Sequence, residues 1–529
     1  MNEALLLMGI VIIICILIGP FAERLPIPSL LIFIGLGMFF GTDGPIGIPF
    51  SEYSISESLC STCLIFIMFY GGFGTNMASA KPVLAKSICL STLGVVLTAG
   101  FTGVFIHYVL NLSWMESLLI GSVISSTDAA SVFNILRSQN LDLKHNTASL
   151  LEVESGSNDP VSYMLTLIFI SILTGSEISV PFMLFKQVFL GLAGGFLIGW
   201  GAILLLRHFD FYLEQGRTIL VFAIALTAYA LPSFFGGNGY LSVYLCGILM
   251  GNYYIPDKKY LVHFFDTITG TCQMIIFFLL GLLVTPSQLG PVLLPALLIM
   301  VFLTLVGRPL GVLLILGPFR SSLGQIGTVS WAGLRGVASI VFSILVVLSD
   351  VTMKYNLFNL VFCIVLLSIA IQGSLLPWIS HKLNMIDQNG NVQRTFNDYQ
   401  ESTDVSFIKI HVKEGDRLAH CLLKDAQFPY GMLVVLIIRE AENILPNGNT
   451  EILPGDLLVA AAPEFEDRET LTLYETPVGK GHPWLNKTLQ NISVPAGCLV
   501  VLVLRNGASI IPDGNTRILM EDVLVTARF

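Results

Sequence analysis

Leu151-Glu152-Val153-Glu154-Ser155-Gly156-Ser157-Asn158-Asp159-Pro160 sets three carboxylates, with Ser, Gly and Asn among them, inside the otherwise apolar segment 147–174. That segment has the length of a bilayer crossing, which takes about 20 apolar residues. Ionisable groups at such depth cost about 2.5 kcal/mol or more each on insertion scales, so they are functional candidates by default. Read as a helix, Ser155 and Asp159 share one face, and Glu154 and Asn158 share the neighbouring stripe. A carboxylate, a hydroxyl and an amide oxygen converge there, a donor set that suits a hard cation.

Working outward, two more segments carry charge at mid-depth. Span 115–137 holds Ser125-Ser126-Thr127-Asp128-Ala129-Ala130-Ser131, and span 321–349 holds Trp331-Ala332-Gly333-Leu334-Arg335-Gly336-Val337-Ala338-Ser339. Small and polar residues interrupt both, which predicts broken helices. The candidate spans are thirteen: roughly 4–22, 27–42, 58–74, 83–109, 115–137, 147–174, 183–206, 217–234, 236–252, 262–283, 290–317, 321–349 and 356–382. The interrupted ones are fifth and twelfth, so two repeats of six would place them in register. Matched interrupted helices in two halves point to a transporter binding site. Asp128 also suits the cap of a half-helix. Glu152 reads as lying near the cytoplasmic mouth, and Arg308, in Gly307-Arg308-Pro309, as satisfying carbonyls freed near its proline. Glu154 and Arg335 read as an ion pair between two helices.

The composition agrees with a membrane chain. Of 529 residues, 54% are hydrophobic and 12% charged, and mean hydropathy is +0.78. Soluble domains carry about 25% charged residues. Of the 63 Asp, Glu, Lys and Arg residues, 33 lie in 1–387 and 30 in 388–529, so a soluble-like tail follows a membrane region. Met1–Gly19 has no basic lead and no A-x-A-like site, and is expected to be a retained first helix. Basic residues in short loops split eleven against two: Arg24, Lys81, Lys86, Arg137, Lys144, Arg207, Arg217, Lys258, Lys259, Arg320 and Lys382 against Lys186 and Lys354. This bias puts the N-terminus outside and the tail in the cytoplasm. A net charge of −9 argues against nucleic-acid binding. The nine cysteines form no paired framework, Cys60-Ser-Thr-Cys63 lies in an apolar span without a redox context, and there is no G-x-S-x-G. No enzyme, cofactor or transition metal is expected.

The chemistry follows from burial. A carboxylate without a counter-charge is penalised when ionised in a low-dielectric site. It can hold a proton, or a dehydrated cation that replaces the proton. The two compete for one site, and if only loaded states reorient, exchange is obligatory. Asp159 is placed in that role with Asp128 beside it.

Ser126-Thr127-Asp128-Ala129-Ala130, Glu154-Ser155-Gly156-Ser157-Asn158-Asp159-Pro160 and Gly333-Leu334-Arg335-Gly336 resemble the monovalent cation:proton antiporter family, most closely its bacterial potassium/proton branch. The resemblance spans about 1–385. It implies an all-α membrane domain of thirteen helices in inverted repeats with crossed, broken helices, usually a homodimer in the cell membrane. It carries Asp159 over as the cation- and proton-binding carboxylate, with Asp128, Thr127, Ser155 and Asn158 shaping or lining the site. Glu154 and Arg335 match a structural ion pair. An Asn-Asp pair is associated in that family with electroneutral exchange. Tyr70 departs from the pattern, because many relatives carry an acid there. Potassium is the expected cation. Sodium/proton exchange and a ligand-gated cation channel are the alternatives, and a membrane-bound sensor without transport is a further one.

After a linker at 386–404, Gly431–Ala461 overlays Gly497–Ala527 at an offset of 66, with 17 of 31 positions identical. Each copy reads as a strand, a turn at Arg439 or Arg505, a short strand, a Pro-x-Gly-Asn-Thr turn and a further strand. Leu418–Leu423 and Leu485–Leu489 read as short helices, which makes a pair of small α+β modules at 405–462 and 472–529. They resemble the TrkA-C domain. In that family the domain dimerises and can bind small ligands, including cyclic di-AMP in some bacteria. No G-x-G-x-x-G follows residue 400, so no dinucleotide site is expected in the tail.

Overall fold

Long runs of Val, Ile, Leu and Phe can satisfy their backbone groups in lipid only as helices, and helices fill the first unit of this computed structural model. The structure describes residues 9–10, 12–14, 16–17, 29–128, 131–132, 135–136, 141, 143–175, 179–208, 214–253, 255, 258–349, 351–386, 405–416, 418–426, 428, 432–439, 442–463, 472–480, 482–492, 498–505, 508–510 and 512–528. The chain divides into two compact units, Met1–Val392 and Gln393–Phe529. The expected first span is described only at 9–10, 12–14 and 16–17, which are helical, and the linker lies outside the described residues beyond Ile386.

The helices of the first unit run α1 (Ser29–Phe40), α2 (Tyr53–Gly74), α3 (Leu84–Leu110), α4 (Trp114–Val123) and α5 (Thr147–Leu173). They continue as α6 (Val180–His208), α7 (Glu214–Phe234), α8 (Gly239–Asn252) and α9 (Lys258–Leu283). The last are α10 (Gly290–Leu316), α11 (Leu323–Trp331), α12 (Val337–Leu348) and α13 (Leu357–Lys382). Among the described residues, seven helices are long and apolar enough to cross a membrane. The 27-residue α5 is not one of them, because Glu152, Glu154 and Asp159 interrupt its hydropathy.

Both expected breaks are present. α4 stops at Val123 after 10 residues, well short of the expected span, and the chain is non-helical up to Thr127 and Asp128. α11 stops at Trp331 and α12 starts at Val337. Ser113 opens α4 with a reciprocal capping box to Glu116, and Ser322 caps α11 through Gln325 N–H. π-turns sit at Leu90–Gly94 in α3 and Leu303–Gly307 in α10. These are the fourth and eleventh expected spans, so their irregularities match across the two halves as the breaks do.

Glycine sets the closest helix approaches. On α8, Gly247 and Gly251 lie against the backbone of Phe69 and Phe73 of α2, and Gly72 of α2 lies against Tyr244. A Cβ at Gly247 would come 3.0 Å from Phe73 N. Small residues allow this proximity where lipid supplies no hydrophobic drive between helices.

The second unit holds two four-stranded antiparallel sheets of the same topology. Strands β1 (Val405–His411), β2 (Leu433–Arg439), β3 (Glu442–Ile444) and β4 (Leu457–Pro463) pair in the order β1-β4-β2-β3. β5 (Thr472–Pro477), β6 (Cys498–Arg505), β7 (Ala508–Ile510) and β8 (Val523–Arg528) pair as β5-β8-β6-β7. The short helices expected at Leu418–Leu423 and Leu485–Leu489 do not form. Their N–H groups donate across to the following turn: His420 to Ile452 O, Leu423 to Thr450 O, and in the second copy Asn486 to Ile518 O and Leu489 to Thr516 O, all at 2.8–3.1 Å. With those donors used sideways, a continuous i→i−4 ladder cannot run through the segment. Among the described residues of these two segments, one 3₁₀ turn, Leu489–Asn491, is present.

Each sheet is locked by one arginine fork. Arg439 Nε and Nη2 donate to Asp456 at 2.8 Å, and Arg505 Nε and Nη2 donate to Asp522 at 2.8 Å. Leu453 N–H and Leu519 N–H reach the same carboxylates at 2.8 and 2.7 Å. The forks hold both carboxyls below the usual range.

Candidate ion-binding site

The two breaks cross each other. Asp128 N–H donates to Leu334 O at 2.8 Å, which ties the first interruption to the second. Arg335, 1% exposed, donates from Nη1 to Ser125 O at 2.7 Å and Ser126 O at 2.8 Å. These carbonyls lie just past the C-terminal end of α4, where the helix dipole favours a cation. The Asp128 carboxylate accepts from Ser131 N–H at 3.2 Å and Ser131 Oγ at 2.6 Å, so it caps the chain after the break. Gly336 faces it, and a Cβ there would collide with the Asp128 side chain.

α5 is stitched to the first break along one face. Ser155 Oγ donates to Thr127 O at 2.6 Å, Asn158 Nδ2 to Thr127 Oγ1 at 2.5 Å, and Ser162 Oγ to Ser122 O at 2.6 Å. Ser126 Oγ donates to Asp159 Oδ1. The structure therefore brings Asp159, Asn158, Ser155, Thr127 and Asp128 together. Ser126 belongs with them, although the sequence reading did not single it out. Asn158 is fully buried and its Oδ1 has no hydrogen-bond partner among the described residues. No basic side chain pairs with Asp159 among those residues.

The expected Glu154–Arg335 ion pair is corrected. Glu154, fully buried, pairs with Arg308 Nη2 at 2.5 Å, while Arg335 serves the carbonyls of the broken helix. The π-turn at Leu303–Gly307 directly precedes Arg308. It adds a residue to that turn and rotates everything after it around the helix.

A cavity of about 450 Å³ ends at this cluster. Its walls include Asp128, Asp159, Ser155 and Glu152, the C-terminal half of α2 from Leu64 to Gly74, and Asp266, Thr269, Gly270 and Gln273 of α9. Gly71, Gly74, Asp266 and Gly270 are exposed, whereas Asp159 is 8% exposed, so the opening lies where α2 ends and α5 and α9 begin. Tyr70 lines it, and Asp266 supplies a carboxylate on the facing helix.

On the face of α5 that carries Asp159, the next residue is Tyr163, which does not line the cavity. It packs edge-on against Tyr240 of α8 at 5.1 Å between ring centroids and against Phe342 of α12 at 5.6 Å. Tyr229 of α7 adds a ring 4.9 Å from Tyr240. These rings cluster one helical turn beyond Asp159 on α5.

The family described as "Sodium/hydrogen exchanger, transmembrane" matches residues 10–382, and the TrkA-C domain matches 407–464 and 473–525. A K(+)/H(+) antiporter NhaP2 from Shewanella sp. (strain ANA-3) is 34% identical over 476 residues, covering 88% of this chain and 82% of that protein. A K(+)/H(+) antiporter NhaP from Alkalimonas amylolytica is 35% identical over 460 residues, covering 85% and 79%. A Na(+)/H(+) antiporter ApNhaP from Aphanothece halophytica is 28% identical over 399 residues, covering 72% and 74%. The solved structure of the sodium proton antiporter MjNhaP1 from Methanocaldococcus jannaschii at pH 8 shares the fold, with a TM-score of 0.65 at 23% identity over 72% of this chain and 99% of that one.

Proposed function

The chain belongs to the sodium/hydrogen exchanger family, and from that premise we propose that it exchanges a cytoplasmic alkali cation, potassium first, for protons across a bacterial inner membrane. The observation that carries this reading is Asp159, 8% exposed in the wall of a cavity, hydrogen-bonded by Ser126 and free of a basic partner among the described residues. Such a carboxylate needs either a proton or a cation. Asp128 is occupied as a cap, and Glu154 is neutralised by Arg308. That leaves one exchangeable negative charge at the end of the cavity, which supports one-for-one, electroneutral exchange.

The cation's oxygens come from Asp159, Ser155, the orphaned Asn158 Oδ1 and the backbone beside Thr127. The aromatic rings around Tyr163 keep the far side shut while the cavity is open, as alternating access requires. The loop charges support a cytoplasmic opening, with Glu152, Gly74 and Asp266, and a cytoplasmic tail. Potassium is preferred over sodium because the relatives above 30% identity described here carry that name. The two TrkA-C modules set the activity range, and their dimerisation would join two copies. Cyclic di-AMP is the small ligand to try first on the full chain.

Proteoliposomes carrying a pH-reporting dye test the reading. Added K⁺, Na⁺ or Li⁺ moves protons through the wild-type chain, and the rate is unchanged when the membrane potential is collapsed. Asp159→Asn abolishes the movement. Cation-driven proton movement by that variant at the wild-type rate overturns the assignment. Conduction of cations without protons favours the channel.

A further inference from the structure

α9 presents a polar stripe to the cavity: Asp266, Thr269, Gly270 and Gln273, spaced as one helical face. It lies opposite the face of α5 that carries Glu152, Ser155 and Asp159. Thr269 is unlike its neighbours. Thr267 and Thr271 each donate a hydroxyl to the carbonyl four residues back, at 2.9 Å. Thr269, 8% exposed, has no hydrogen-bond partner for Oγ1 among the described residues. A buried hydroxyl that lines a cavity and forgoes its backbone bond is placed for something in the cavity. The cavity beside it has room, because a Cβ at Gly270, or at Gly71 and Gly74 of the α2 wall, would meet nothing within 4 Å.

We propose that this face of α9 is the second wall of the cation route, where Asp266 draws an alkali cation into the mouth and Thr269 Oγ1 takes it as an oxygen ligand on its way to Asp159. The inference rests on the reading of cation exchange at Asp159. The oxygen types suit a hard monovalent cation, and Gln273 continues the stripe one turn deeper. Asp266 and Tyr70 line the same cavity, so α9 supplies an acid where α2 has a phenol.

The test compares Asp266→Asn, Asp266→Glu, Thr269→Val and Thr269→Ser with the wild type in proteoliposomes, titrating K⁺ and adjusting ionic strength with choline chloride. A cavity of about 450 Å³ is roughly 9 Å across as a sphere. At effective dielectric constants of about 30 to 60, one charge at that distance changes cation affinity about threefold to eightfold. Asp266→Asn raises half-saturating K⁺ by that factor at low salt and leaves the maximal rate in place. The difference shrinks toward nothing at about 1 M salt, where the Debye length is about 3 Å. Asp266→Glu restores the wild-type value. Thr269→Val raises half-saturation at every salt concentration and Thr269→Ser restores it. Equilibrium binding of radioactive rubidium to the detergent-solubilised chain follows the same order. Unchanged half-saturation in both Asp266→Asn and Thr269→Val, with exchange intact, overturns this inference alone. A salt-independent defect in Asp266→Asn overturns the recruiting role. A wild-type chain that exchanges none of K⁺, Na⁺ and Li⁺ overturns the exchange reading, and this inference with it.

Discussion

Exchanging the partner of Glu154 gives a sharp test of the crossing geometry. Glu154 and Arg308 are both almost fully buried, 0% and 2% exposed, and 2.5 Å apart. Removing one member of such a pair leaves an uncompensated charge in low dielectric, which costs about 3–5 kcal/mol, whereas replacing both with neutral groups of similar volume is often close to neutral. Glu154→Gln is therefore expected to destabilise the solubilised protein by about 3–5 kcal/mol, and Arg308→Met by a similar amount. The double variant Glu154→Gln/Arg308→Met should recover most of the loss. Glu154→Gln/Arg335→Met should not, because Arg335 is engaged with Ser125 O and Ser126 O. There the losses should depart from strict additivity without a rescue, because Arg335 also lies within electrostatic range of Glu154 and Arg308, and close sites couple. Thermal unfolding followed by size-exclusion chromatography reads these four variants beside Arg335→Met alone and the wild type. If Arg335→Met rescues Glu154→Gln and Arg308→Met does not, the pairing argued here is wrong.

Three other outcomes are expected. Gly336→Ala drives a methyl into the Asp128 side chain and should sharply reduce the yield of monodisperse protein; normal yield with normal exchange would contradict the tight crossing. Tyr163→Ala or Tyr240→Ala opens the ring cluster beyond Asp159, and vesicles should then leak protons down a pH gradient without any alkali cation, as dye quenching reports. Asp522, held low by Arg505, contributes stability that is fully present above about pH 4 and is lost as pH falls through its depressed native value. Asp522→Asn should lower protection of the β6 and β8 amides at pH 7 by about 1.5–3 kcal/mol, and the gap to wild type should close in acid, measured by hydrogen exchange corrected for intrinsic rates.

The sequence displayed the centre of the site well, because polar groups in an apolar helix stand out and a four-residue spacing fixes their shared face. Ser155, Asn158 and Asp159 needed no more than that. The partner of Glu154 was hidden because a helical wheel drawn through α10 does not show the π-turn at Leu303–Gly307. The α9 wall was hidden for another reason. Asp266 lies near the start of its span, where an acid looks like ordinary surface, and Thr269 has significance only once its missing backbone bond is seen. In the tail, the strands were legible from repeated Leu-Val runs, but short apolar stretches at Leu418–Leu423 and Leu485–Leu489 read equally well as helix or turn, and the carbonyls across from them decided it.

The two interruptions complete one another across more than 200 residues: Asp128 is finished by Leu334, and Ser125 by Arg335, 210 positions later. Neither knot can be tied until the ribosome has delivered both strands of it. During synthesis the earlier half must wait in the bilayer with its carbonyls bare, a state that quality-control proteases and chaperones can recognise. A product truncated before Leu334 is thus expected to be cleared instead of persisting as an idle half-transporter.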